Sequence, residues 1–151
     1  MLEPLISTIE VPCSQEKAFR VLVNEMGSWW PLDKRSMSMH HGATAKSLLV
    51  EPKLGGKIIE TGHDDTLHHW GTIKTYDPHD SVTMDFHMGL PAENASLVEV
   101  KFTALDSERT QVELTQSNWE AFGDMAEMMR RGYGSGWVII FEESYKSACG
   151  G

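Results

Sequence analysis

Cysteine is nearly absent: Cys13 and Cys149 are the only two in 151 residues. Two thiols make no disulfide framework, so both are expected to be reduced. Cys13 precedes an expected helix start, where the dipole favours a thiolate, but Glu16 opposes that and no base stands nearby in sequence. An inert thiol is the expectation. Also missing is any run of about 18 apolar residues, which argues against a membrane-inserted helix. The opening Met1-Leu2-Glu3-Pro4-Leu5-Ile6 has neither the charged leader nor the apolar core of a secretory signal, so a cytoplasmic protein is expected. In that compartment the Asn94-Ala95-Ser96 acceptor pattern has no consequence. Basic residues are scarce, 13 against 22 acidic ones, for a net charge of −9. Such a chain repels nucleic acid and anionic membrane. There is no internal repeat and no low-complexity tract. Glu51-Pro52-Lys53-Leu54-Gly55-Gly56 lacks the lysine and hydroxyl that must follow the last glycine of a phosphate loop, and reads as a hairpin turn.

What is present suggests one α+β domain over residues 1–151. Leu5 to Val11 alternates as a strand, Pro12 stops it, and Ser14 caps a helix whose Phe19, Leu22, Val23 and Met26 share one face. Of the adjacent Trp29 and Trp30, one is expected in the core and the other at the rim of an opening. Asp33 to Ala45 lacks periodicity and reads as a long loop of lid type. From Lys46 to Ser117 the chain alternates as a meander; Val82, Met84, Phe86 and Met88 share one face, and Thr83, Asp85 and His87 the other. Trp119 to Arg131 predicts a helix ended by Gly132, and Gly134 to Ser147 a last helix with Trp137, Ile140, Phe141 and Ser144 on one stripe. A curved antiparallel sheet gripping that last helix, with a space between them, accommodates all of these elements.

Several strings carry a resemblance. Met26-Gly27-Ser28-Trp29-Trp30-Pro31-Leu32, Glu51 through Glu60, Trp70-Gly71-Thr72-Ile73, Tyr76-Asp77-Pro78, and Gly132-Tyr133 through Gly136-Trp137 resemble the START-like (SRPBCC) superfamily. The branch is the bacterial one named after activators of the heat-shock protein 90 ATPase. The resemblance implies the helix-grip fold and a cavity, and no particular chemistry, since the superfamily includes lipid and hormone binders, cyclases and plant allergens. The full eukaryotic activators carry an additional domain for which 151 residues leave no room.

The expected function is binding of a small hydrophobic or lipid-like molecule between sheet and last helix. Met84, Phe86 and Met88 on a strand, Met125 and Met129 on one helix, and Trp137 and Phe141 on the next are the apolar pocket candidates. Trp30, Met37 and Met39 are expected at the entrance. Glu60, His69, Trp70 and Tyr76 are the candidates for polar contacts that orient the guest. No metal and no cofactor is expected: His63, His68 and His69 crowd together in sequence, but neighbours on a strand point to opposite faces and do not share a zinc ion. Two other readings stay open. One is a cyclase or hydrolase that uses an inward Glu60 or His69 as base. The other is an interaction module, with Ile139 and outer apolar residues forming a homodimer or partner surface.

Overall fold

The computed structural model describes residues 2–88 and 90–150. Met1, Gly151 and Gly89 lie outside it, the last of these in the loop expected after Met88. Strands β1 (Leu5–Val11), β2 (Ser47–Val50), β3 (Lys57–Thr61), β4 (Leu67–Asp77), β5 (Ser81–Phe86), β6 (Ser96–Asp106) and β7 (Arg109–Ser117) form one sheet. Its order is β1-β7-β6-β5-β4-β3-β2, with every neighbour antiparallel. Short hairpin turns explain the meander, and only β1 must cross to the far edge, beside β7. Helix α1 (Gln15–Val23) makes that crossing begin: the Ser14 hydroxyl accepts the Lys17 N–H at 3.2 Å, and Phe19, Leu22 and Val23 bury its inner face. Helix α2 (Met26–Trp29) follows, then a 3₁₀ turn at Ser38–His41.

The C-terminal helix departs from the sequence expectation. Trp119–Met125 is a 3₁₀ stretch, and α3 (Ala126–Trp137) runs without interruption into a π-helical stretch, Val138–Tyr145, and α4 (Lys146–Ala148). Gly132 therefore ends nothing. Gly132, Gly134 and Gly136 all keep φ out of the left-handed region, whereas Gly123 adopts φ 58°, ψ −128° and makes the bend before α3. The wider π turns keep Trp137, Phe141 and Tyr145 facing inward at a spacing of four.

Between sheet and helix the interior is filled. Met84, Phe86, Val98, Val100 and Leu114 from the strands meet Trp29, Trp30, Trp137 and Phe141, leaving about 10 Å³, too little for a guest of any size. The polar tips are satisfied internally. The Trp137 indole N–H donates to Gln116 Oε1 at 2.7 Å, Gln116 Nε2 donates to Ser96 Oγ at 2.8 Å, and Ser96 Oγ donates to Phe86 O at 3.2 Å. Trp29 donates to Val21 O at 2.7 Å, and the Tyr145 hydroxyl to Ala18 O at 2.7 Å. The two cysteines, distant in sequence, meet beside Tyr145 in the same seam. Burial pushes the Cys149 thiol up to about 12.

Candidate functional site

A half-open cleft of about 710 Å³ lies beside this packed interior, under the segment from Lys34 to His40. One wall is the Lys34–His40 strap, the floor is Trp30 with His87 and Met88 at the end of β5, and the other wall is the first half of the C-terminal helix. Helical spacing makes that wall: Met125, Met129, Gly132, Gly136 and Ile140 follow each other three or four residues apart and fall on one stripe. A Cβ added at Gly132 would meet nothing within 4 Å, so the glycine leaves open volume instead of permitting a close contact. Six of the nine methionines, Met37, Met39, Met88, Met125, Met128 and Met129, line the cleft. Tyr133 stacks on Trp137 at 6.0 Å, and burial raises its phenol well above the usual range, so it stays a hydroxyl.

Glu60 holds the strap in place. Its side chain is fully buried and takes four hydrogen bonds: Met37 N–H at 2.7 Å, Ser38 N–H at 3.1 Å, the Ser38 hydroxyl at 3.1 Å and the Trp70 indole N–H at 3.0 Å. Ser38 Oγ also accepts from His63 N–H at 2.9 Å, and the Trp30 indole donates to Arg35 O at 2.8 Å. With four donors converging on two oxygens, this carboxylate is a structural acceptor. It does not line the cleft.

Of the expected pocket residues, Trp30, Met37, Met88, Met125 and Met129 line the cleft. Met84, Phe86, Trp137 and Phe141 instead fill the interior, because the sheet closes onto the helix at van der Waals contact there. Trp70 is buried between Glu60 and Trp30, whose ring it meets edge-on at 5.0 Å. Tyr76 packs against Phe19 of α1 at 5.6 Å. His69 does not point inward: a register shift between Ile58 and Ile59 pairs it with Ile59, and its Nε2–H donates to Gly71 O at 2.8 Å. The shift inserts one residue in β4 and reverses the parity on which the inward reading rested.

The sequence reading passed over His87, Tyr133 and the glycine stripe. His87 is 3 % exposed, lines the cleft, and has no partner for either ring nitrogen among the described residues. Its ring meets His69 edge-on at 4.7 Å. Burial first, and the neighbouring His69 second, lower its pKa from 6.5, so the imidazole is neutral at pH 7. The signal for this end of β5 was the Gly-Leu-Pro that follows Met88, since β5 stops at Phe86 and the N–H groups of both His87 and Met88 turn to Trp70 O. Among the described residues no group of three or more His, Cys, Asp or Glu has the geometry of a metal site. No described helix is long and apolar enough to cross a membrane.

Comparison with known proteins agrees with this architecture. Among solved structures, an anthrahydroquino-gamma-pyrone synthase, Txn09, is 26% identical over 88% of each chain, with a TM-score of 0.63. CalC, a self-sacrificing resistance protein from Micromonospora echinospora, is 19% identical over 97% of this chain and 93% of its own, with a TM-score of 0.67. An HSP90 activator from Plasmodium falciparum is 18% identical over 97% and 96%, with a TM-score of 0.59. The last two show a shared fold. A search of curated proteins matched none. The model of one family, described as Activator of Hsp90 ATPase homolog 1-like protein, matches residues 12–137. The helix-grip architecture and that match together mean that the chain belongs to the Activator of Hsp90 ATPase homolog 1-like family, within the START-like superfamily.

Proposed function

We propose that this protein binds a small, mostly apolar molecule in the cleft between the Lys34–His40 strap and the first half of the C-terminal helix. The observation that carries the reading is the gathering of six methionines around about 710 Å³ of open space, while the rest of the interior is packed solid. Thioether side chains are unbranched and polarisable, so such a lining adapts to guests of different outline and gains chiefly by removing apolar area from water. The volume falls in the range of small-molecule sites, about 300–1,000 Å³. An acid–base enzyme built on Glu60 or His69 has less support, because neither side chain lines this space. The pocket residues on this reading are Trp30, Met37, Met39, Met88, Met125, Met128 and Met129.

The test uses the open volume at Gly132. Wild-type protein should give saturable binding of an uncharged naphthylamine fluorophore and a rise in Tm. Gly132→Phe, whose ring enters space that holds no atom within 4 Å of its Cβ, should weaken that binding by about tenfold or more while the protein stays folded. Wild-type affinity in the variant would place the guest elsewhere and end this reading.

A further inference from the structure

We infer that the guest is an amphiphilic organic anion, an apolar body with one acidic group held at the rim by Lys34 and Arg35. This rests on the cleft being the binding site, as proposed above. The chain carries 22 acidic residues, yet none lines the cleft, whereas Lys34, Arg35 and His40 all do. No acidic residue occurs between Asp33 and Glu51, so one basic segment supplies the lysine and arginine of the cleft lining, while Asp85 and Glu93 act on His87 from outside that lining. Asp33, its nearest acidic neighbour in sequence, is exposed and does not line the cleft. Neither Lys34 nor Arg35 forms an ion pair among the described residues, although carboxylates pair with Arg20, Lys46, Lys74, Lys101 and Arg109.

Arg35 is also placed. Its N–H donates to Pro31 O at 2.8 Å, its carbonyl accepts from Trp30, and a Cβ on Gly136 would stand 3.6 Å from its Nε. The half-buried guanidinium therefore lies beside Gly136, with Nη1 donating to Lys34 O at 3.3 Å and its other donors free of any side-chain partner among the described residues. A guanidinium in that position offers a planar fork of donors to a carboxylate or sulfonate, strengthened by the low polarity around it. An uncharged guest would leave the two cations with no counter-charge, and an amine would be repelled by them.

Two probes share an anilinonaphthalene body and differ by a sulfonate: 8-anilinonaphthalene-1-sulfonate and N-phenyl-1-naphthylamine. The full-length protein should bind the sulfonate at least about tenfold tighter at low salt, and the preference should shrink as ionic strength rises. In the Lys34→Gln, Arg35→Gln double variant, with its Tm recorded as a folding control, the ratio of the two affinities should fall to about twofold. Equal binding of both probes by the wild type, or a preference that survives the double variant or high salt, overturns the anion while leaving the cleft. Binding of neither probe removes the cleft reading and this inference with it.

Discussion

Gly123, in the 3₁₀ stretch before α3, and Gly132, within α3, are expected to answer the same substitution with opposite sign. At Gly123 the backbone is at φ 58°, ψ −128°, a conformation that side chains with a Cβ avoid. Gly123→Ala should cost about 1–3 kcal/mol. At Gly132 the backbone is helical and an added methyl meets nothing within 4 Å, so Gly132→Ala should stabilise by about 0.5–1 kcal/mol through helix propensity. Urea unfolding of both variants, compared at equal m-value, checks the pair. On the proposed function, the volume left open at Gly132 is space for the guest.

The element that controls the cleft is the strap, and its anchor is one buried carboxylate. Glu60→Gln keeps the shape of the side chain but turns an N–H₂ group toward donors. It should cost about 1–3 kcal/mol and take the acceptor from one of the two strap amides, since Met37 N–H bonds one carboxylate oxygen and Ser38 N–H the other. Hydrogen exchange at whichever of these two amides faces the N–H₂ group should rise by about tenfold or more, against no change in β6 and β7. Exchange that stays at the wild-type rate would remove Glu60 as the anchor. At this scale the chain was readable where one period rules it. Strands β5, β6 and β7 follow from alternation, and α1 from its cap and its Phe19, Leu22 and Val23 face. It misleads where geometry is set by a partner: the inserted residue in β4 reverses the face of His69, and Gly132 lacks the positive φ that would end a helix there. For the site, methionine density marked Met37, Met88, Met125 and Met129, but their meeting in one cleft depends on the strap's tie to Glu60. No local pattern in residues 33–45 encodes a contact with β3.

For the molecule as a whole, acid should act through His87. Its pKa is lowered from 6.5 in the folded protein, chiefly by burial and then by His69, while the Leu90 backbone, Asp85 and Glu93 oppose the shift. The unfolded chain therefore binds a proton that the folded one refuses. Stability from this group is fully present above about pH 6.5 and declines as pH falls below it, with a limiting slope of about 1.4 kcal/mol per pH unit. His87→Leu should flatten the stability profile between about pH 5 and 7, read from denaturant midpoints at each pH. An unchanged slope would show that the acid sensitivity resides elsewhere.

The two walls of the cleft differ in stiffness, and on the proposed function that difference should govern which guests the cleft admits. The strap is clamped at Met37 and Ser38 by Glu60 and at Arg35 by Trp30, while the facing lip at Met125 and Met128 is exposed and unbranched. A visitor squeezed between a fixed jamb and a yielding sill is graded by thickness and excused in its contour. Flat ring systems and slender chains should pass equally, and bulky globular cages should be turned away.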